Sequence, residues 1–320
     1  MKSPIFIFSL PRSGSTLLQR LLMAHKSISS VSEPWILLPY IYSTKQHGVI
    51  SEYSSINSYT GVSDFINNLP NSEKDYKGAL RNFVLELYEK QCRKNEVYFL
   101  DKTPRYYLVI NEIVELFPDA KFIFLFRNPV QVYASIINTF ADNKLQYFNT
   151  QEDVIDGMEL LSEGYNRHKQ NAIFVNYESL TENSEVELSK IFEYLELTPD
   201  FDVLSNFSSQ NTKGRFGDPT GVKEYNQISS KSIDKWKKTF NNPVRKRHLL
   251  KTINSISSET LNIQGYNKAQ LLTEIKSIKV NLKGIVLDFK DLIFSYLVRR
   301  FKLNLFFAKT LKWTNKKFLN

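Results

Sequence analysis

One stretch near the amino end constrains the fold more than any other: Pro4-Ile5-Phe6-Ile7-Phe8-Ser9-Leu10-Pro11-Arg12-Ser13-Gly14-Ser15-Thr16-Leu17-Leu18. It begins as an apolar run fit for a buried strand, passes through a short turn, and ends as the opening of a helix. A helix start leaves backbone N–H groups without partners and carries partial positive charge. Glycine lets that backbone come close to a ligand, and small hydroxyl side chains add donors. Such a turn can cradle a phosphate. It is not the Walker A loop, which needs Gly-Lys-Ser/Thr, with the lysine on the β/γ-phosphates and the hydroxyl on magnesium. Here Gly14 is followed by Ser15 and Thr16, and the cation, Arg12, precedes it. The turn therefore speaks for a phosphate group more firmly than for ATP; the alternative is an ordinary strand–turn–helix corner.

A second apolar run, Lys121-Phe122-Ile123-Phe124-Leu125-Phe126, leads into Arg127-Asn128-Pro129 and a helical segment from Val130. Ser135 follows Arg127 by about two helical turns. An arginine at a strand's carboxyl end can grip a phosphate bidentately, and a helix-borne serine can add a donor. A nucleotide kinase more often places a metal-binding aspartate there. Two phosphate positions without an evident magnesium ligand suit a nucleotide bearing a 5′-diphosphate-like group and a 3′-phosphate.

On these residues the chain resembles the sulfotransferases that use 3′-phosphoadenosine 5′-phosphosulfate (PAPS). Pro11-Arg12-Ser13-Gly14-Ser15-Thr16-Leu17 matches the family's 5′-phosphosulfate loop, and Arg127 with Ser135 matches its 3′-phosphate pair. The likeness extends to Ser32-Glu33-Pro34-Trp35, Asp101-Lys102-Thr103-Pro104, Asn176-Tyr177-Glu178-Ser179-Leu180 and Ser232-Ile233-Asp234-Lys235-Trp236, and spans roughly residues 4–266. It implies a P-loop-like α/β fold. It also implies that Tyr177 and Lys235 approach the nucleotide from later loops, and that Thr220, in the turn Gly217-Asp218-Pro219-Thr220, contacts the sulfuryl group. No metal is implied.

Two family features are missing. Small-molecule sulfotransferases carry a Lys-Thr-His-like element, whereas Lys102 is followed by Thr103-Pro104; nor is there an Arg-Lys-Gly-x-x-Gly run. The pattern is closer to the carbohydrate and tyrosyl-protein branch, in which a glutamate is the usual base. Those relatives are luminal and membrane-anchored at the amino end. Here the first strand starts at about Pro4, which leaves no room for an anchor, so a cytoplasmic setting is expected, peripheral at the inner face of a membrane if the tail described below attaches.

Glu33 is the candidate base, since it follows a short strand and should face the same crevice as the loop. Lys102 and Arg12 should neutralise the oxygen that departs with the nucleotide, and Asp101 either orients Lys102 or forms an ordinary ion pair with it. The acceptor would be a hydroxyl of a carbohydrate, glycolipid or peptide tyrosine. Two other readings compete: a P-loop kinase, and a non-catalytic membrane-associated scaffold that keeps the nucleotide fold.

Organisation supports one large domain with an appendage. Short apolar strands near 4–9, 28–31, 97–100, 121–126 and 172–176 alternate with helical patterns at 15–25, 76–94, 105–117, 130–141, 152–169, 184–196 and 244–258. That alternation predicts a three-layer α/β fold with a parallel sheet between helices. In the 76–94 segment Ala79, Phe83 and Leu87 recur at four-residue spacing. Residues 40–75, rich in Ser, Asn and Tyr, read as either a lid over the site or a surface insertion. The single cysteine, Cys92, cannot form an intrachain disulfide and points to a reducing compartment; with only four scattered histidines, no metal site is suggested.

The charge is unevenly divided. The chain carries 42 Lys and Arg against 33 Asp and Glu, a net +9, and the whole excess falls in residues 266–320. Residues 1–265 are neutral overall, which argues against nucleic-acid binding by a broad patch. The predicted boundary runs between a catalytic domain at 1–266 and a basic helical tail at 267–320. In the tail Leu282, Ile285, Val286, Phe289, Ile293, Phe294 and Leu297 trace an apolar stripe. It is too short and too interrupted by Arg299, Arg300 and Lys302 to span a bilayer, but suits a helix lying on an anionic one. The alternative is a helix docked on the domain or on a partner.

Overall fold

A computed structural model describes residues 2–92, 96–141, 143–145, 152–210, 212, 214, 235–303 and 306. Five strands form one parallel sheet: β1 (Ser3–Ser9), β2 (Ile28–Ser30), β3 (Tyr98–Asp101), β4 (Lys121–Phe126) and β5 (Ala172–Asn176). Their order is β2-β3-β1-β4-β5. In register, Ile5 of β1 lies beside Leu100 of β3 and Lys121 of β4. The connections leaving β1 lead first to one side of it and then to the other, so the carboxyl ends of β1 and β4 flank a crevice.

The two faces of the sheet differ in chemistry, because side chains alternate along a strand. On one face Phe6, Phe8, Phe122, Phe124 and Phe126 share a core with the helices Glu73–Gln91 and Ile110–Leu116 and with later ones. Phe8 stacks on Phe122 at 5.9 Å between ring centres, and Phe126 stacks on Phe174 at 4.9 Å. On the other face Ile5, Ile7, Ile123 and Leu125 meet Leu17, Leu18, Leu21 and Leu22 of the helix Ser15–Met23. The helices before β3 are α1 (Ser15–Met23), α2 (Leu37–Tyr42), α3 (Ser55–Asn67) and α4 (Glu73–Gln91). Next come α5 (Ile110–Leu116), α6 (Pro129–Phe140), α7 (Gly157–His168), α8 (Tyr177–Glu182), α9 (Ser184–Tyr194) and α10 (Val203–Asn206).

The structure refines three local expectations. The 105–117 segment is split: a 3-10 turn at Pro104–Leu108 precedes α5. The 40–75 segment contains α3, capped by Ser54 and burying only Ile66, so its polar composition hides a helix. In α4 the buried stripe is Leu80, Val84 and Tyr88, one position later than Ala79, Phe83 and Leu87. Tyr88 reaches the sheet to stack on Phe99 at 4.4 Å, while Phe83 turns outward onto Tyr40 at 5.4 Å.

Further helices follow at Trp236–Thr239, Pro243–Ser255, Ser258–Ile263 and Lys268–Ser277. The last buries Leu271 and Ile275 in the same core as Leu249 and Ile253. A tail helix, Ile285–Arg300, is fixed by ion pairing: the Arg245 guanidinium holds both Asp288 carboxylate oxygens at 2.8 Å. Arg245 also donates to the Asn143 side chain and to the carbonyls of Asn143 and Thr239, and the Asn242 amide donates to Asp288. Removing one member of a buried pair leaves the other charge uncompensated. Asp288→Ala should therefore lower the unfolding free energy by about 3–5 kcal/mol. The double change Asp288→Leu with Arg245→Met should cost less than that single one, and urea titration of both variants measures the difference.

Candidate active site

The turn after β1 is held in an unusual backbone. Arg12 and Gly14 both have positive φ, 69° and 90°. A Cβ on Gly14 would lie 2.2 Å from the Tyr177 ring, so glycine is required by space as well as by φ. Gly14 caps α1, whose first residues Ser15 and Thr16 are buried at the crevice.

Arg127, just past β4, organises this turn. Its guanidinium donates to the Arg12 carbonyl at 3.0 Å and to the Gln131 side-chain oxygen at 3.2 Å, and it stacks on the Tyr177 ring at 4.2 Å. The Arg12 guanidinium donates to the Ser135 hydroxyl at 3.1 Å. Arg12, Ser13, Gly14, Arg127, Ser135 and Tyr177 thus come together, although they lie far apart in sequence. The Tyr177 hydroxyl is buried and finds no partner among the described residues. A buried donor of that kind calls for an acceptor.

The second half of the site lies at the ends of β2 and β3. The Lys102 ammonium, with its side chain only 1% exposed, donates to Glu33 at 2.8 Å. It also reaches the Thr16 hydroxyl at 3.5 Å. Glu33 accepts from the Trp35 indole N–H at 3.2 Å. Trp35 has a positive φ of 56°, a conformation an L-residue adopts only under local constraint. Gln19 of α1 donates to Ser30 and to the Val31 carbonyl, which fixes the Glu33 turn against the loop's own helix. Gly214 approaches the same turn: a Cβ there would lie 2.5 Å from the Ser32 hydroxyl oxygen.

Of the two roles open to Asp101, orienting Lys102 or an ordinary ion pair with it, the surface ion pair is not made. It is fully buried and accepts from the hydroxyls of Tyr88 at 2.5 Å, Tyr106 at 2.9 Å and Thr103 at 3.0 Å. Thr103 in turn accepts from the Trp35 backbone N–H, and Tyr106 from that of Leu37. Asp101 thereby shapes the strand end that carries Lys102 and the turn that carries Trp35. Burial raises its pKa to about 6, against the pull of its three donors and of Lys102. The sequence signal for this role was an aspartate that directly precedes the lysine; its tyrosine partners come from other elements.

Glu178 and Gln131 were not among the expected site residues. Glu178 accepts from the Asn128 backbone N–H at 3.0 Å and from the Tyr266 hydroxyl at 2.8 Å, so it ties the first turn of α8 to the start of α6. Lys235 stands exposed ahead of Trp236–Thr239, and no described contact joins it to the cluster. Trp236 packs in the core. Thr220 lies outside the described residues. Among the described residues no group of three or more His, Cys, Asp or Glu side chains could hold a metal ion.

Comparison with known proteins agrees with this geometry. The model of the sulfotransferase family matches residues 4–202. Nodulation protein NoeE of Sinorhizobium fredii is 30% identical over 138 residues, which is 42% of this chain and 31% of that protein. The protein-tyrosine sulfotransferase of Drosophila melanogaster is 27% identical over 199 residues, which is 60% of this chain and 38% of that one. The chain thus spans about a third of the length of these two relatives. A sulfotransferase domain from the curacin biosynthetic pathway shares the fold, with a TM-score of 0.54 at 22% identity over 88% of this chain and 99% of that one.

The Asp101 cluster gives a pH test. A carboxyl group raised from 3.8 to about 6 on folding binds more protons folded than unfolded between those values. Its ionisation therefore removes stability as pH climbs from about 4 to about 6, and adds no further change above that. The amount is about 3 kcal/mol at 1.36 kcal/mol per unit. Asp101→Asn has no such slope. The unfolding free energy of the native chain minus that of the variant should fall by about 3 kcal/mol between pH 4 and pH 7, as read by urea unfolding at each pH. A difference that grows with pH would reverse the assignment.

Proposed function

Because the chain belongs to the sulfotransferase family, we propose that it transfers a sulfuryl group from PAPS to the hydroxyl of a carbohydrate or glycolipid, with Glu33 as base. The observation that carries the reading is the position of Lys102. One buried ammonium lies within reach of Thr16, on the phosphate loop, and of Glu33, on the facing turn.

The residues fit the donor. The loop N–H groups and Ser13, Ser15 and Thr16 would hold the 5′ side, and Arg12 adds a charge. Arg127 and Ser135 would take the 3′-phosphate, and Tyr177, stacked on Arg127 with its hydroxyl unpaired among the described residues, would flank the nucleotide. Lys235 and Thr220 remain part of the proposal through the family resemblance.

The donor supplies an electrophilic sulfur whose bond to a phosphate oxygen breaks as the bond to the acceptor oxygen forms. Glu33 accepts the acceptor's hydroxyl proton. Lys102 exchanges Glu33 for the oxygen that leaves with adenosine 3′,5′-bisphosphate, and Arg12 shares the charge that builds there. Because the sulfuryl group carries less charge than a phosphoryl, side-chain cations suffice in this account. Trp35, 37% exposed beside Glu33, offers a face on which a sugar ring can stack. A peptide tyrosine is the second acceptor; the relative named as a protein-tyrosine sulfotransferase favours it.

Glu33→Gln should keep affinity for adenosine 3′,5′-bisphosphate and lose about 10²–10⁴-fold in turnover; near-normal turnover would remove Glu33 from the role. Arg127→Ala should weaken adenosine 3′,5′-bisphosphate by about 10- to 100-fold and leave adenosine 5′-phosphate little changed. An equal loss for both nucleotides, measured by calorimetry, would mean that Arg127 only supports the turn. Thermal shift by adenosine 3′,5′-bisphosphate, compared with ATP plus magnesium, separates this reading from a kinase.

A further inference from the structure

The tail helix is turned inside out. The 3.6-residue period sets Val286, Phe289, Ile293 and Leu297 along one stripe. They are 81, 58, 48 and 41% exposed, while Asp288, Ser295 and Val298 are buried on the opposite side. An exposed apolar stripe of this length is uncommon on a soluble protein and marks a contact surface. The orientation is fixed, since rolling the stripe inward would pull Asp288 out of its bidentate pair with Arg245.

Charge says what covers the stripe. Lys290 and Arg300 fall beside it by the helical period, Lys283, Arg299 and Lys302 lie at the helix ends, and residues 266–320 hold the chain's whole excess of +9. Where the chain leaves the helix Lys268–Ser277, a cavity of about 440 Å³ is lined by Lys237, Lys238 and Lys279, with Asn241, Ser277 and Ile278. A second copy would bring the same positive charge against it, which opposes self-association. No helix among the described residues is long and apolar enough to cross a membrane.

We propose that this face docks the protein on an anionic lipid bilayer. The Val286–Leu297 stripe sinks into the interface, and the basic rim and three-lysine cavity meet headgroup phosphates. The proposal does not depend on the sulfuryl-transfer reading, because none of these residues belongs to the active site.

The test is sedimentation of the full chain with vesicles of phosphatidylcholine, and with vesicles of equal parts phosphatidylcholine and phosphatidylglycerol. Binding should be stronger to the anionic vesicles by about tenfold or more and should fall as salt rises. The pair Phe289→Ser and Ile293→Ser should weaken it by at least about tenfold. The variant should keep the native unfolding midpoint and the native affinity for adenosine 3′,5′-bisphosphate. Equal binding of native and variant chains would overturn the docking face, as would absence of binding to either vesicle. Light scattering that shows a dimer dissociated by the same pair of substitutions would assign the stripe to self-association instead.

Discussion

Lys102 is an ammonium almost without solvent, and that condition shapes everything around it. An isolated buried charge costs several kcal/mol, so a counter-charge has to be brought to it. Glu33 supplies that charge only because β2 and β3 run parallel in a register that pairs Ser30 with Leu100. The chain leaving β2 is thus carried past the chain leaving β3. Gln19 then ties the end of β2 to α1, so the helix that opens at the phosphate loop and the turn that holds Glu33 move as one body. The requirement to neutralise one side chain therefore fixes the relative position of two loops that the proposed chemistry uses together.

The other half of the site is held by shape more than by charge. Arg127 lies between the Tyr177 ring and the Arg12 carbonyl, and Tyr177 lies where any Cβ on Gly14 would be. Arg127, Tyr177, Arg12 and Gly14 thus limit one another. The positive φ at Arg12 is retained because a guanidinium donates to its carbonyl, and this strained turn directs the Arg12 side chain to Ser135. Strain of this kind, of order 1–3 kcal/mol, persists where surrounding contacts over-determine the backbone.

Much of this was legible in the sequence, for identifiable reasons. A parallel strand buried on both faces reads as an unbroken apolar run, and β1 and β4 could hardly be anything else. The phosphate loop is local, so its residue types and spacing travel together. What stayed hidden depends on contacts across the fold. Periodicity in α4 pointed to Ala79, Phe83 and Leu87, whereas the buried stripe lies one position later, where Tyr88 reaches Phe99 and Asp101. In α3 the apolar residues Ile56, Val62 and Phe65 are left outside the core and only Ile66 is buried, so packing did not follow from composition. In the tail, periodicity revealed an apolar face but not its direction: Asp288, Ser295 and Val298 point inward and the apolar stripe points out. The likeness to the sulfotransferase family, carried by two short motifs, is matched by the family model over residues 4–202.

The same device, a buried cation paired with a carboxylate, appears twice with different consequences. Arg245 has five N–H donors, and all five are used: two on Asp288, two on Asn143 and one on Thr239. Any displacement would leave buried donors unpaired, so this pair is a fixture that sets the tail helix in one orientation. Lys102 has three donors, and the described contacts are a close one to Glu33 and a long one to Thr16. Its ammonium is held electrostatically but lightly in geometry, on a flexible stem that can turn from one anion to another. A partner exchange that would be prohibitive at Arg245 is therefore accessible at Lys102, provided a second anion arrives beside Thr16. In the proposed reading the donor brings that anion to the loop before α1, and the departure of Lys102 would free Glu33 to take a proton.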